Sequence, residues 1–369
     1  MNYKKIYVAA TSQHIGKTTS TLGLIHAIRA QNVNVGYCKP VGQEFIELQE
    51  IGLPVDKDTV LFASFMDFKI KPEIHSPIIL GKGATAKYLD NPSAFNYPDR
   101  IDFAAKILDD QHEVTVYEGT GHPGVGAVIN LSNAAVAKRL GAGVVMVAKG
   151  GIGNTIDKLH QSLAVFREQG VPVIGVIINK VRPEKMDKIR HYIGNYLDSI
   201  GLPLLGLIPY DKTLSNPLMI TIKDAVNGEV LMNEMYLDNQ VEHIVAGSLV
   251  DKQELKRMDN LLLVVSITRL SEAIEKIHTI AQRAGHDKSP LSGIIVTNIG
   301  EVGEDCKKYI TKHKIPLIRT SLDTYGSVVK ISRIEVKINT RTPWKVKRAT
   351  DLIRKHVDVS FLFQDKTKA

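Results

Sequence analysis

The chain has 369 residues, of which 44% are hydrophobic and 23% are charged, and such proportions exclude a disordered or fibrous protein. At about 150 residues per domain, this length predicts two domains. Apolar runs such as Leu261–Val265 fall far short of the ~20 residues of a membrane helix, and Ile6–Ala10 is too short for a signal-peptide core. Two cysteines, Cys38 and Cys306, cannot build a disulfide framework. We therefore expect a soluble protein of the reducing cytoplasm, without a membrane partner.

The net charge of +8 is concentrated at the end of the chain. From Lys330 onward, eleven Lys or Arg residues stand against four Asp or Glu residues. A basic segment can attract nucleic acid or other anions, but only Trp344 is interleaved with these charges, which gives base stacking little support. We expect a solvated helix face around Lys345–Lys355 and no nucleic-acid partner.

In the first half of the chain, short apolar runs typical of buried strands alternate with stretches of helical periodicity. The predicted strands are residues 5–10, 33–38, 114–117, 144–148, 173–178 and 204–208. The predicted helices are residues 18–30, 101–108, 132–140, 155–169 and 184–200. Alternation of this kind, with nearly continuous apolar strands, predicts an α/β fold with a doubly wound, mostly parallel sheet.

After the polar, proline-containing segment 211–217, the pattern of elements changes. The predicted strands there are residues 241–245, 261–265, 293–297 and 315–319, and the predicted helices are residues 270–284 and 302–313. We therefore expect a first domain over residues 1–212, a second and smaller α/β domain over 218–359, and a tail over 360–369.

The strongest chemical signal lies at the first strand-to-helix turn, where Gly16-Lys17-Thr18 follows an apolar strand and opens a helix. Such a turn directs backbone N–H groups and the positive helix end at phosphate oxygens. Lys17 would reach the β- and γ-phosphates, and the Thr18 hydroxyl would bind Mg²⁺. Ala10 or Thr11 replaces the leading glycine of the motif. The residues that we assign to nucleotide binding in this loop are Gln13, His14, Ile15, Gly16, Lys17, Thr18 and Thr19.

Two carboxylates are candidate Mg²⁺ ligands. Glu118 ends the predicted strand at 114–117, at the edge where open α/β sheets bind ligands. The alternative for Glu118 is a salt bridge to a neighbouring lysine. Asp58, in Asp56-Lys57-Asp58, supplies a second acidic group, for which helix capping is the alternative.

Three further residues follow predicted strands or glycine-rich turns. Lys39 comes directly after the second strand and could hold an anionic substrate or the transferring phosphoryl group, although a surface lysine is the plain alternative. Asn179 could hydrogen-bond a nucleobase or serve as a turn residue. His122, in a glycine-rich loop, could transfer a proton or be structural.

Taken in order, these motifs resemble the dethiobiotin synthetase-like phosphate-loop fold, as found in the N-terminal part of long phosphotransacetylases. The resemblance covers about residues 1–212. Residues from about 218 to 359 resemble the DRTGG domain that follows this fold in those proteins, although the string itself is absent. The motifs are Gly16-Lys17-Thr18, Lys39-Pro40-Val41, Glu118-Gly119-Thr120-Gly121, Asn179-Lys180-Val181 and Gly206-Leu207-Ile208-Pro209.

The resemblance implies a Mg-ATP site and a homodimer. It places the phosphates and metal near Lys17, Thr18, Asp58 and Glu118, the base near Asn179 and an anionic substrate near Lys39. Two departures argue against diamino-acid carboxylation: Ser12 replaces an acidic residue of the loop, and Gln43 replaces a serine after Lys-Pro-Val.

We therefore expect a cytoplasmic ATP- and Mg²⁺-binding protein in which Lys17 and Lys39 are catalytic. It would activate an unidentified small anionic substrate by phosphoryl transfer, as a ligase or an ATPase, with a regulatory second domain. The alternative is a non-catalytic sensor whose nucleotide occupancy regulates a metabolic partner enzyme.

Overall fold

A computed structural model describes residues 3–247, 259–283, 285, 288–334 and 336–362. The chain forms two compact units. The first runs to Asp211 and is resumed by the chain from Ile338, whereas the second comprises Lys212–Lys337.

The first unit is built on a six-stranded sheet in the order β10-β9-β8-β1-β7-β2, in which every neighbouring pair is parallel. These strands are almost continuously apolar and buried, which is the pattern of a sheet covered on both faces. Its strands are β1 (Lys5–Ala10), β2 (Val35–Cys38), β7 (Val114–Glu118), β8 (Gly143–Lys149), β9 (Val173–Val181) and β10 (Leu204–Pro209). Two small ribbons accompany the sheet: β3 (Val41–Gly42) with β6 (Ile78–Ile79), and β4 (Phe45–Leu48) with β5 (Leu53–Asp56).

Helices follow most strands of the first unit, so that the chain winds as α/β units. They are α1 (Lys17–Arg29), α2 (Lys57–Met66), α3 (Pro72–His75), α4 (Ala84–Asp90), α5 (Tyr97–Gln111), α6 (Asn133–Leu140), α7 (Gly153–Glu168), α8 (Met186–Ser199) and, after the second unit, α13 (Pro343–His356). The apolar faces of α5, α6, α7 and α8 pack with the sheet strands into one core cluster.

The second unit has a five-stranded sheet in the order β11-β15-β14-β13-β12, of which only the β11 pairing is antiparallel among the described residues. Its strands are β11 (Glu229–Met232), β12 (His243–Ala246), β13 (Leu261–Ser266), β14 (Leu291–Thr297) and β15 (Leu317–Thr320). Its helices are α9 (Met219–Ala225), α10 (Leu270–Arg283), α11 (Glu304–Lys312) and α12 (Thr324–Ser332). Separate clusters of buried apolar side chains cover the two faces of this sheet.

The predicted α/β fold with a mostly parallel sheet is confirmed. The last helix, however, belongs to a different unit from the one predicted. The sequence predicts a second domain that continues to 359, whereas α13 packs on the first unit, where a Cβ at Gly23 of α1 would overlap Ile353. The expected solvated face is present at Lys347, Arg348, Arg354 and Lys355, which are exposed, whereas Lys345 is fully buried. Burial lowers the pKa of Lys345 to about 8.

None of the described helices is long and apolar enough to cross a membrane. Cys38 and Cys306 are both buried free thiols. The cytoplasmic location stays a prediction.

Candidate functional site

The loop between β1 and α1 lies at the carboxyl edge of the first sheet. Gly16 precedes the first residue of α1 and has a φ of 98°, a left-handed conformation that favours glycine. A Cβ at this position would also overlap the side-chain amide of Asn179. Glycine is therefore required at position 16 both by the backbone conformation and by the space available.

Side chains from the end of β9 hold this loop in place. Asn179 Nδ2 donates a hydrogen bond to the Ile15 carbonyl at 2.8 Å, and its Oδ1 accepts from the Lys180 backbone N–H at 2.7 Å. Lys180 Nζ donates to the His14 carbonyl at 2.7 Å. The amide of Asn179 is thus engaged with the phosphate loop itself, and its contact with a nucleobase stays a prediction.

Lys17 and Thr18 connect the loop to the end of β7. Lys17 Nζ donates to the Gly121 carbonyl at 2.7 Å, and Thr18 Oγ1 donates to Glu118 Oε1 at 2.8 Å. The structure therefore brings together the glycine-rich loop after β7 and the residues predicted to bind phosphate and metal.

Lys39 lies among three carboxylates. Its Nζ forms an ion pair with Asp58 and lies 3.5 Å from Glu118 Oε1 and 3.9 Å from Asp56 Oδ1. The side chain of Lys39 is 7% exposed and that of Glu118 only 1% exposed. Lys39 is thus no surface lysine, and the salt bridge considered for Glu118 is present beside its hydrogen bond to Thr18.

Three carboxylates surround the Lys39 ammonium: those of Asp56 and Glu118 are buried and that of Asp58 is partly exposed, and Lys17 also acts on Glu118. Burial raises the pKa of Glu118 to about 7, with Asp58 adding to the rise and Lys39 opposing it. Burial likewise raises the pKa of Asp56 to about 6. Burial alone would lower the pKa of Lys39, but the carboxylates of Asp58, Glu118 and Asp56 outweigh it and raise that pKa. The cluster therefore favours an additional positive charge.

Asp56 is a member of this cluster that the sequence analysis did not assign. Its side chain, rather than that of Asp58, caps α2: Asp56 Oδ1 accepts from the Asp58 backbone N–H at 2.9 Å. The capping alternative proposed for Asp58 is therefore wrong, and Asp58 is left to pair with Lys39. An Asp just before a helical stretch is a capping signal that could have found this arrangement.

A second unassigned residue is Asn133, at the start of α6. Its Oδ1 accepts from Tyr7 Oη at 2.7 Å and from the Thr120 backbone N–H at 3.0 Å. Its Nδ2 donates to the carbonyls of Thr120 at 2.7 Å and of His122 at 2.6 Å. Asn133 thereby fixes the loop that supplies the carbonyl partner of Lys17, and no local sequence signal indicates it.

The remaining predicted residues lie in the two loops. Gln13 and His14 are exposed, Ile15 is buried and Thr19 is half-buried. His122 is exposed, and its Nδ1 accepts from the Gly124 backbone N–H at 3.3 Å, which is a turn contact. Nucleotide contacts of the loop residues and proton transfer by His122 stay predictions.

Two known family models match this chain, and the two matches meet close to the boundary between the two units. The model of the AAA_26 family, described as an AAA domain, matches residues 4–218. The model of the DRTGG domain matches residues 221–334.

The chain is similar to curated proteins of two kinds. A phosphate acetyltransferase of Nitratidesulfovibrio vulgaris is 22% identical over 376 residues, which cover 97% of this chain and 51% of that protein. The ATP-dependent dethiobiotin synthetase BioD of Bacillus subtilis subsp. natto is 25% identical over 235 residues, covering 62% of this chain and 97% of that protein. The chain spans about half the length of the phosphate acetyltransferases that it matches.

Among solved structures, the cell division protein MinD of Aquifex aeolicus aligns with 57% of this chain and 84% of its own, at 11% sequence identity and a TM-score of 0.36.

Proposed function

This chain belongs to the AAA_26 family, and we propose that it binds Mg-ATP at the Gly16–Thr19 loop and activates a small anionic substrate by phosphoryl transfer. The observation that carries this proposal is the buried acidic cluster beside the loop, in which Thr18 bonds Glu118 and three carboxylates share one lysine. Carboxylates gathered next to a phosphate-binding turn are the complement of a divalent cation.

The donor set fits magnesium. The Thr18 hydroxyl and the Glu118 and Asp58 carboxylates would hold it, and all three are hard oxygen donors. Among the described residues, no group of three or more His, Cys, Asp or Glu side chains is arranged to hold a metal ion by itself. Mg²⁺ is commonly held by one or two carboxylates and completed by nucleotide phosphates and water. The bound ion would neutralise charge on the phosphoryl oxygens.

Two lysines would act on the phosphates and on the acceptor. Lys17 and the loop N–H groups would stabilise the phosphoryl oxygens by charge-assisted hydrogen bonds. Lys39, which already sits 3.5 Å from Glu118, would position the anionic acceptor beside them. Ser12 and Gln43 depart from the dethiobiotin synthetase pattern, so we propose an acceptor other than a diamino acid. The homodimer stays a prediction.

A second candidate is a nucleotide-dependent regulator without turnover. It is favoured by the DRTGG domain that matches residues 221–334 and by the similarity of the chain to phosphate acetyltransferases over 97% of its length. In that case nucleotide occupancy of the first unit would alter how the DRTGG domain meets a metabolic partner enzyme.

Calorimetric titration of Mg-ATP into the wild type, Lys17→Ala and Lys106→Ala tests the nucleotide site. Lys106 is an exposed lysine of α5 and serves as the control. We expect Lys17→Ala to weaken binding about 10- to 100-fold, the value of one or two charge-assisted hydrogen bonds, and Lys106→Ala to leave it unchanged. Absence of saturable heat in the wild type would overturn the proposal.

Lys39→Ala separates the two candidates. If the protein is an enzyme, this substitution abolishes nucleotide turnover stimulated by small carboxylate substrates, because the acceptor loses its positioning charge. If it is a regulator, the wild type shows no stimulated turnover, and Lys39→Ala retains nucleotide-dependent binding of the partner.

A further inference from the structure

A cleft of about 560 Å³ lies in the first unit at the edge strand β2, away from the phosphate loop. It is lined by the chain from Asn32 to Tyr37, by the segment after α2 that contains Lys69 and Lys71, and by the end of α5. The amino-terminal half of β2 lines this cleft, whereas Lys39 follows the carboxyl end of the same strand. Its volume is within the range of pockets that hold small organic ligands.

The charges that line the cleft are strongly unequal. Three cationic side chains, Arg29, Lys69 and Lys71, face it from two segments, and Asp67 is the one carboxylate of the lining. All three cations are exposed, and none of them forms an ion pair within the described residues. Unpaired cations around a concave surface concentrate anions.

A buried histidine of the lining adds an N–H donor. His75 is 8% exposed, and its Nδ1 accepts a hydrogen bond from the Lys71 backbone N–H at 3.0 Å. The neutral ring therefore carries its proton on Nε2. That Nε2–H has no hydrogen-bond partner in the part of the chain that the structure describes, and the residue lines the cleft.

His112 completes this side of the cleft. Its Nδ1 bonds Asn34 Oδ1 at 2.9 Å, and Asn34 Nδ2 donates to the Gln111 carbonyl, so the proton of the neutral His112 ring is on Nδ1. Burial lowers the pKa of His75 to about 4, with His112 adding to the effect, and burial also lowers the pKa of His112. An anion in the cleft would oppose both shifts.

From this geometry we infer that the cleft is a binding site for a phosphate-bearing small molecule. Lysine and histidine N–H groups on one wall and Arg29 on another suit an oxyanion with several acceptor atoms. The cavity is larger than a phosphate group and leaves room for the organic part of the ligand along Phe68 and the β2 backbone. The inference does not depend on the function of the Gly16–Thr19 loop.

The test is a titration with inorganic phosphate and with glycerol 3-phosphate, followed by calorimetry and by NMR of the imidazole groups. Every protein carries Lys17→Ala, so that the phosphate loop does not contribute. The site variant adds Lys69→Ala and Lys71→Ala. The control adds Lys106→Ala and Lys188→Ala, which remove the same charge from exposed helix positions.

We expect saturable binding that shifts the His75 resonance, identified by His75→Gln, and that is at least fivefold weaker in the site variant but unchanged in the control. Tighter binding of glycerol 3-phosphate than of phosphate would identify an organic phosphate as the ligand. Three results would overturn the inference: no saturable binding, equal weakening in both variants, or shifts confined to His14 and His122.

Discussion

Glu118 shows how one side chain serves two opposing demands. Its side chain is only 1% exposed and accepts a hydrogen bond from Thr18, yet it shares Lys39 with Asp56 and Asp58. Its pKa is raised from the usual 4.5 to about 7. The unfolded chain loses this proton at a lower pH than the folded chain. The contribution of Glu118 to the free energy of unfolding therefore decreases as the pH rises from 4.5 to 7.

We therefore predict that Glu118→Gln stabilises the ligand-free protein at pH 8 while removing Mg²⁺-dependent nucleotide binding. The amide keeps an acceptor for Thr18 and removes the buried charge, and a shift from 4.5 to about 7 corresponds to about 3 kcal/mol as an upper value. Thermal unfolding at pH 8 and calorimetry with Mg-ATP measure the two effects. Exposed Glu184→Gln is the control, and a lower unfolding temperature for Glu118→Gln would refute the electrostatic argument.

His75 predicts a pH dependence of opposite sign. Because burial lowers the pKa of His75 from 6.5 to about 4, the unfolded state takes up a proton that the folded state refuses. The contribution of His75 to the free energy of unfolding is therefore fully present above pH 6.5. It decreases by up to about 3 kcal/mol as the pH falls toward 4.

Unfolding temperatures measured from pH 7 to pH 4.5 test this for the wild type and for His75→Gln. The substitution also removes the ring whose centroid lies 4.3 Å from that of Phe68, so the unfolding temperature at pH 7 falls. The informative quantity is the slope with pH, which we expect to flatten in His75→Gln and to persist in the exposed variant His160→Gln. Equal slopes would mean that another group carries the acid sensitivity.

At the level of secondary-structure elements, most of the first sheet could be predicted because its strands are buried on both faces. All six of its strands overlap the predicted ranges, and β1 matches residues 5–10 at both ends. The hairpin of β4 and β5 was not predicted, since Phe45 and Ile46 are exposed and carry no alternating buried face. The antiparallel edge strand β11 was missed for the same reason, as none of its residues is fully buried.

The site could be predicted where a local motif carries it, as with Gly16, Lys17 and Thr18. The bracing of the loops by Asn133, Asn179 and Lys180 could not be predicted. One contact of each residue joins positions more than a hundred apart, and the other contacts of Asn133 depend on the packing of α6. Tertiary packing decides which amide meets which backbone group.

The packing of α13 on α1 leads to a prediction about two glycines. A Cβ at Gly23 of α1 would overlap the buried side chain of Ile353, whereas a Cβ at Gly194 of α8 meets nothing within 4 Å. Alanine improves helix propensity at both positions by about 1 kcal/mol. We expect Gly23→Ala to destabilise the protein by about 1–3 kcal/mol through overpacking and Gly194→Ala to stabilise it.

Ile353→Ala provides the complementary change. Alone it opens a cavity and costs about 2–5 kcal/mol, and with Gly23→Ala the two losses should partly cancel, because the new methyl group enters the space that the isoleucine leaves. Denaturant unfolding of the single and double variants measures this coupling. Strict additivity would contradict the contact between the helices.

For the whole molecule, the order of elements in the chain differs from their grouping in space. The chain leaves the first unit at Asp211, builds the unit of Lys212–Lys337 and returns with α13. Helical periodicity indicates that α13 has an apolar face, but it does not indicate which unit covers that face. This is why the sequence assigned residues up to 359 to the second domain.

The return of α13 predicts that residues 1–211 do not form a stable unit by themselves. Removing α13 takes away the buried side chains Ala349, Leu352 and Ile353 and exposes the face of α1 beneath them. Burial of one large aliphatic side chain contributes about 1.5–3 kcal/mol, so the loss is a large part of the 5–15 kcal/mol typical of total stability. We expect a fragment of residues 1–211 to unfold at a much lower temperature than the intact chain, or to aggregate.

A second fragment distinguishes this cause from a need for the second unit. It joins residues 1–211 to 338–369 through a flexible linker of about 20 Gly and Ser residues, which spans about 25 Å. If α13 supplies the missing stability, this fragment regains cooperative unfolding and Mg-ATP binding although it lacks Lys212–Lys337. If it unfolds as readily as residues 1–211 alone, α13 is not the source of the missing stability. The first unit then depends on residues Lys212–Lys337 and does not fold as an independent domain.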